Sequence, residues 1–333
     1  IGHTRLPIQS DSDASPEQPF TYMKEAMAFV GEIFGVPSEE DALWRALSTP
    51  MLRGFHELDG FWSVVYSHHG TGKALAITDH LGIKPLYYWG DRNMVCSEIT
   101  PMFAAFPPPE MDPIYLSNCL KFGYDYSGRT PWKGVSRVPP GTVLTLSPMG
   151  PEFTQATPYW DWKRVPKGGS LFEDFMKSTQ HRVEGVLNLD ESPVALLMSG
   201  GLDSSTVLWA AKALGVSDRI EPVFIENEDD GFYIPENFPI IRLSVKDNPD
   251  GDPDWNEMVT IMQEPVDLGS VVPQIRLAGA LKGYRVILTG DGADELFGGY
   301  RRAKEYDSQA SDVFCELPAY HLPRLARVAI RVP

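Results

Sequence analysis

One ten-residue stretch, 196–205, restricts what this chain can fold into more than any other. Its sequence, LLMSGGLDSS, joins an apolar run rich in strand formers to a helical pattern that continues to Leu214. A buried strand, a glycine turn and a helix start present consecutive N–H groups and the positive end of a helix dipole, which is typical of a phosphate site. Asp203 stands among these donors, and its carboxylate would repel phosphate unless a divalent cation lay between them. The alternative is an ordinary strand–turn–helix connection, which leaves this order of serines, glycines and acid unexplained.

The same alternation of strands and helices continues through the second half of the chain. The pattern predicts strands at 220–226, 240–245 and 286–289, and helices at 171–187, 255–263 and 274–282. Strands that alternate with helices predict a parallel sheet whose ligands bind at the carboxyl ends of the strands.

A second motif, TGDGADE at 289–295, follows directly on the last of these strands. Three carboxylates within five residues are costly unless a positive group lies among them. Asp294 could complete a Mg²⁺ site with Asp203, and Asp291 could act as a base. The alternative is an Asp-Gly turn in which Asp294 and Glu295 cap the next helix.

The first half of the chain is richer in sheet. Helical patterns occur at 22–30, 39–47 and 113–122, and strand patterns at 61–66, 74–78, 86–89 and 94–96, so an α+β arrangement is expected. A flexible, polar stretch at 159–169 predicts the boundary between a first domain, 1–158, and a second, 159–333.

Composition narrows the class of protein. The 333 residues are 43% hydrophobic and carry a net charge of -16, which argues against a nucleic-acid groove as the main surface. No apolar run approaches membrane-spanning length, so no membrane partner is expected. The three cysteines have no metal-ligand spacing, which favours reduced thiols and a cytoplasmic location.

The two motifs, with EPVD at 264–267 between them, resemble the synthetase domain of the glutamine-dependent asparagine synthetases and of their β-lactam and lasso-peptide cyclising relatives. In the first half, GEIF at 31–34 and DHLGIKPLYY at 79–88 resemble the amidotransferase domain of the same family. The resemblance implies an α/β and α+β fold: an incomplete sandwich like that of the N-terminal-nucleophile (Ntn) hydrolases, followed by a parallel-sheet adenine nucleotide α-hydrolase-like (PP-loop) domain.

The resemblance also implies an activity and a set of site residues. A substrate carboxylate would be adenylated on ATP and Mg²⁺, and nitrogen from glutamine or ammonia would then displace AMP. ATP and pyrophosphate would be held by Leu197, Met198, Ser199, Gly200, Gly201, Asp203, Ser204, Ser205, Ile225, Thr289 and Gly290. Mg²⁺ would lie on Asp203 and Asp294, and catalysis would rest on Asp291 and Asp203. The substrate would meet Glu264, Asp267 and Glu295, and glutamine would meet Arg5, Gly31 and Glu32.

Several positions depart from the family pattern. The nucleophilic N-terminal Cys is not seen at Ile1, Val30 replaces the expected oxyanion-hole Asn, and Glu39 replaces an Asp, so an inactive glutaminase is expected. The chain ends before the family's adenylation lysine, for which Lys304 is a candidate substitute. Three functions therefore remain open: a glutamine-dependent ligase, a ligase or cyclase that uses ammonia or an internal amine, and a non-catalytic ATP-binding regulator. A homodimer is also left open.

Overall fold

The computed structural model describes residues 18–294, apart from 126, 148, 151–153, 161–170, 188–192, 227–240, 245–254, 266–274, 276, 280 and 282. In the first half, the strands are β1 (Phe20–Tyr22), β2 (Glu25–Ile33), β3 (Gly60–His68), β4 (Lys73–Thr78), β5 (Tyr87–Trp89), β6 (Met94–Cys96), β7 (Val135–Arg137), β8 (Thr142–Leu146) and β9 (Gln155–Pro158). The helices are α1 (Glu39–Ser48), α2 (Thr100–Ala105) and α3 (Pro113–Phe122), with 3₁₀ turns at Pro50–Glu57 and Gly90–Arg92.

These strands form two antiparallel sheets. The larger has six strands in the order β1-β2-β3-β4-β8-β9, and the smaller has three in the order β6-β5-β7. The main core lies against the centre of the larger sheet, where Met27, Phe29, Trp62 and Ile77 are almost fully buried. Tyr159, just beyond β9, packs against this core and donates a hydrogen bond to the Thr78 carbonyl at 2.6 Å.

The helix expected at 22–30 is wrong, because β1 and β2 occupy this segment. β2 pairs with β3 in nine consecutive positions, from Glu25 opposite His68 to Ile33 opposite Gly60. Met27, Ala28 and Phe29 are buried in succession, so the apolar run has no alternation that would mark a strand. Tertiary pairing decides the structure of such a run, and a local pattern cannot.

The second half is built on a parallel sheet. Its strands are β10 (Val194–Met198), β11 (Ile220–Glu226), β12 (Ile241–Ser244) and β13 (Ile287–Leu288). Its helices are α4 (Leu171–Leu187), α5 (Leu202–Ala213) and α6 (Trp255–Met262), and a 3₁₀ turn, Ser217–Arg219, precedes β11. The strand order is β12-β11-β10-β13, and each neighbouring pair is parallel.

The core of this half lies between the sheet and two helices. Leu196 and Phe224 pack against Leu208 of α5 and Val183 of α4, all of them buried. On the opposite face, Ala195 and Val223 pack against the buried Leu281. Because both faces are covered, the strands read as continuous apolar runs, as buried parallel strands do.

The fold class is confirmed as a mixture of α/β and α+β architecture, with a parallel sheet in the second half. The predicted limits of α3, α4 and β11 match those of the structure, and the remaining predicted strands agree within about two residues. Among the described residues, none of the helices has both the length and the apolar character needed to cross a bilayer.

Candidate active site

The predicted phosphate loop forms the turn between β10 and α5. Gly200 has a φ of 78°, in the left-handed region that favours glycine, and this residue turns the chain out of the strand. Gly201 has an extended backbone and is the residue that precedes the first turn of α5. The loop therefore adopts the tight strand–turn–helix geometry expected from its sequence.

Hydroxyl groups inside the loop fix its shape. Ser204 is buried, and its Oγ accepts a hydrogen bond from the Ser199 N–H at 3.3 Å while lying 3.3 Å from the Ser199 Oγ. Ser199 Oγ in turn accepts from the Gly201 N–H at 3.2 Å, and Ser205 Oγ donates to the Gly201 carbonyl at 2.7 Å. The buried Ser204 side chain therefore stabilises the loop from inside, as an internal brace, whereas Ser199 and Ser205 are exposed.

The N-terminus of α5 has the character of an anion site. Gly201 supplies no capping side chain, so no side-chain group at that position satisfies the first N–H groups of the helix. Such N–H groups and the helix dipole favour a negatively charged ligand. The helix has twelve residues, long enough for this effect.

The second motif lies beside this loop. Since β13 pairs with β10 in parallel, Ala195 opposite Ile287 and Leu196 opposite Leu288, the residues that follow the two strands leave the sheet at the same edge. Gly290 is so close that a Cβ on it would lie 2.9 Å from Asp203 Cβ and 2.9 Å from Ser204 N. From β10 the chain continues to β11 and β12 on one side and returns to β13 on the other, so this contact lies at the topological switch point of the sheet. Open α/β sheets bind their ligands there.

The acidic residues of the two motifs differ in exposure. Asp203 and Asp294 are half-buried, and Asp291 is exposed, with its N–H donating to Thr289 Oγ1 at 3.3 Å. No three acidic, His or Cys side chains among the described residues are grouped as a protein-only metal site. Mg²⁺ requires no such group, because it commonly binds through one or two carboxylates and completes its shell with water and substrate phosphates. Asp203 beside an uncapped helix start therefore fits Mg²⁺ bound together with phosphate.

Other predicted site residues fall at different places. Leu197 and Met198 end β10, and Ile225 lies in β11 next to it. The Glu264 side chain forms an ion pair with Arg137 in the first half of the chain and accepts a hydrogen bond from the Tyr87 hydroxyl at 3.4 Å. Asp267 and Glu295 lie outside the described residues.

The predicted glutamine site involves the strand pair β2–β3. Gly31 has a φ of 120°, and a Cβ on it would lie 2.0 Å from the Phe61 carbonyl oxygen, so only glycine fits. Glu32 is buried beside it, and Glu39 Oε1 accepts a hydrogen bond from the Ile33 N–H at 3.0 Å. Arg5 lies outside the described residues. The structure thus brings Gly31, Glu32 and Glu39 together, while Val30 offers no side-chain donor.

A buried carboxylate organises the adjoining DHLGIKP segment. Asp79 Oδ1 accepts from the N–H groups of Leu81 and Ile83, and Oδ2 accepts from those of Trp62 and Lys84, at 2.9 to 3.1 Å. Burial raises the pKa of Asp79 to about 6, against the opposing effect of these four hydrogen bonds. Asp79 therefore fixes the loop after β4 onto β3.

Sequence reasoning missed two residues that join the halves of the chain. Gln263 and Arg137 carry contacts to residues more than a hundred positions away. Neither belongs to a motif, and pairing over such a separation leaves no local pattern, so no signal in a single sequence could have found them.

Known protein families match both halves of the chain. Residues 1–160 match a glutamine amidotransferase domain, and residues 241–331 match asparagine synthase. The glutamine-hydrolysing asparagine synthetase 1 of Bacillus subtilis is 26% identical over 298 residues, which cover 85% of this chain and 46% of that protein. The amidase chyE of Penicillium rubens is 26% identical over 299 residues, which cover 76% of this chain and 41% of that protein.

The chain spans less than half the length of these two curated relatives. Among solved structures, a glutamine phosphoribosylpyrophosphate amidotransferase from B. subtilis aligns with a TM-score of 0.27 and 16% identity, over 66% of this chain and 51% of that one. The two family matches and the curated relatives together show that the chain belongs to the asparagine synthetase-like family.

Proposed function

We propose that the protein is an ATP-dependent carbon–nitrogen ligase that adenylates a substrate carboxylate and then forms an amide from it. The observation that carries the proposal is the contact between Gly290 and Asp203 at the switch point, which joins the phosphate loop to the acidic motif. The more general part of this proposal, that the protein is a glutamine-dependent amide-forming ligase, is supported by the two family matches. AMP and pyrophosphate as products, and a carboxylate such as aspartate as substrate, belong to the proposal alone.

In this proposal, the loop holds the phosphates through its backbone. The N–H groups at the start of α5 bind the β and γ phosphates of ATP, and the Ser204 brace keeps them oriented before the substrate arrives. Preorganised donors stabilise departing pyrophosphate without having to rearrange during the reaction. Mg²⁺, when bound on Asp203 and Asp294, would neutralise charge on the phosphates.

The chemical steps follow from this arrangement. A carboxylate oxygen of the substrate attacks the α-phosphorus, the bond to the β-phosphate oxygen breaks, and pyrophosphate leaves with the electron pair. An amine then attacks the acyl carbon and AMP leaves with its carboxylate-derived oxygen. Asp291, exposed beside the loop, accepts the proton that the amine loses.

A second candidate uses ammonia or an internal amine in place of glutamine. The observation in its favour is Val30, which lies on β2 opposite Ser63 where the family resemblance places an Asn donor. Deleting one oxyanion donor typically costs about 10² to 10³ in rate. The two candidates are separated by comparing product formation with glutamine and with ammonium at matched nitrogen concentrations. Robust product formation with glutamine would count against the second candidate. The free thiols of Cys96 and Cys119 favour a cytoplasmic setting for either.

The proposed activity is tested by isotope exchange between radiolabelled pyrophosphate and ATP, in the presence of a panel of carboxylates that includes L-aspartate. The expected result is exchange that depends on both Mg²⁺ and a carboxylate, and that is lost in Asp203→Asn. Asp218→Asn, an exposed carboxylate in the turn before β11, is the matched control and keeps the wild-type rate. Exchange by Asp203→Asn at the wild-type rate would overturn the assignment.

A further inference from the structure

Two consecutive residues at the end of α6, Gln263 and Glu264, reach from the second half of the chain into the first. Gln263 has a φ of 57°, which places a residue other than glycine in the left-handed region. Its N–H still bonds to the Val259 carbonyl at 2.8 Å, so the helix ends here. Such a backbone persists only where surrounding contacts hold it.

The side chain of Gln263 supplies three of these contacts. Its Oε1 accepts hydrogen bonds from the N–H groups of Ile99 and Thr100, at 2.9 and 3.2 Å, and its Nε2 donates to Glu98 Oε2 at 2.8 Å. Ile99 is the residue that precedes α2 and gives that helix no side-chain cap. Gln263 therefore caps α2 from a position 164 residues further along the chain.

Glu264 supplies the second group of contacts. Its carboxylate pairs with the Arg137 guanidinium, and the exposed fractions of the two side chains are 3% and 9%. The Tyr87 hydroxyl donates to the other carboxylate oxygen. A buried ion pair leaves an uncompensated charge when one partner is removed, so each partner needs the other.

Another contact between the halves is much more exposed. Arg182 of α4 pairs with Asp59, and their side chains are 51% and 35% exposed, respectively. Arg182 also lies over the Phe34 ring, at 5.9 Å from its centroid. Exposed pairs contribute little because solvent screens them, so the buried contacts of Gln263 and Glu264 contribute more than this pair does.

We infer that Gln263 and Glu264 form a clasp that fixes the two halves to each other, and that they are positioning residues for the ligase site. Glu264 is held by Arg137 and Tyr87, and the substrate role that the family resemblance implies for it stays a separate prediction. The clasp holds the half that carries the β10–α5 turn and the acidic motif against the first half. Its link to the ligase site rests on the proposed function, but the clasp itself does not.

The clasp is tested by hydrogen exchange of the full chain without ligand, followed by mass spectrometry of peptides that cover 99–105. Gln263→Ala and Glu264→Gln should raise the exchange rate of these amides about tenfold, although the substitutions lie in the other half. Val259→Ala, on the exposed face of α6, is the matched control and leaves the rate unchanged. Protection equal to that of the wild type in both clasp variants would overturn the proposal.

Charge reversal tests the ion pair of the clasp. In the double variant Arg137→Glu with Glu264→Arg, the clasp predicts hydrogen-exchange protection at 99–105 that exceeds the protection in either single variant. Protection no higher than in the single variants would overturn the role of the ion pair in the clasp. If the reversed pair does not fold, Tyr87→Phe tests the clasp instead, because it removes the hydroxyl that donates to Glu264. Hydrogen-exchange protection at 99–105 equal to that of the wild type would contradict the clasp. If neither the wild type nor any of these variants binds Mg–ATP, the proposed function is wrong, but the hydrogen-exchange result at 99–105 still tests the clasp.

Discussion

Gly290 lies against Asp203 so closely that even one methyl group on Gly290 would come within 2.9 Å of the aspartate Cβ. The contact joins the ends of β10 and β13, which are 90 or so residues apart in sequence but adjacent in the sheet. Gly290→Ala should therefore push Asp203 away from the switch point and lower Mg–ATP affinity about tenfold or more. Isothermal titration with Mg–ATP measures the effect. Gly283→Ala, where a Cβ meets nothing within 4 Å, should bind as the wild type does, and equal affinities for the two variants would contradict the packing argument.

The serines of the phosphate loop should differ in their effect on stability. Ser204→Ala removes a buried hydroxyl that accepts from the Ser199 N–H, and should lower the free energy of unfolding by about 1 kcal/mol. Ser205 is exposed, so Ser205→Ala should change it by less than about 0.5 kcal/mol. Urea denaturation of both variants checks the difference. A larger loss for Ser205→Ala would show that Ser204 is not the brace.

Two glycines with positive φ in the first half distinguish the cost of a steric clash from the cost of an unfavourable backbone conformation. Gly31→Ala would place its Cβ 2.0 Å from the Phe61 carbonyl oxygen, and should cost about 3 kcal/mol or more. Gly35 has a φ of 70°, and a Cβ on it would meet nothing within 4 Å. Gly35→Ala should therefore lower the free energy of unfolding by only about 1 kcal/mol, the cost of the backbone conformation. Thermal unfolding of the full-length variants measures both. Similar shifts in Tm for the two would mean that β2 and β3 do not approach as described.

Asp79 should make stability depend on pH. Burial raises its pKa in the folded protein to about 6, above the ordinary value of 3.8. The folded state then holds this proton in a range where the unfolded state has lost it, so the contribution of Asp79 is greatest below about pH 4 and is lost as pH rises to about 6. The total loss is roughly 3 kcal/mol, the equivalent of two pKa units.

Asp79→Asn tests this dependence, because it removes the titration. The slope of unfolding free energy against pH between 4 and 6 should be less negative in the variant than in the wild type, by the equivalent of one proton. Glu57→Gln, an exposed position, controls for the loss of a negative charge. Identical slopes for wild type and Asp79→Asn would contradict the raised pKa.

The sequence and the structure agree where a local pattern was sufficient. The limits of α3 follow from Asp112, whose carboxylate caps the first turn, and from Gly123, whose φ of 80° ends the helix. The turn between β10 and α5 was likewise predictable, because glycine and serine at fixed spacing determine its shape, whereas its phosphate-binding role stays a prediction.

Long-range contacts account for what could not be predicted. The segment that contains Met27 and Phe29 shows a helical pattern, but pairing with β3 makes it a strand. The contact of Gln263 with Glu98 and Ile99 depends on how two halves of the chain meet. Neither result is encoded in the spacing of nearby residues.

In the function that we propose, Asp203 and Asp294 hold a divalent cation together with the phosphates of ATP. Electron paramagnetic resonance of Mn²⁺, used in place of Mg²⁺, tests it without knowledge of the carboxylate substrate. We expect Mn²⁺ to bind the full chain only when ATP is present, with the affinity falling about tenfold or more in Asp203→Asn and in Asp294→Asn. Mn²⁺ binding with ATP that is unchanged in either variant would contradict the account.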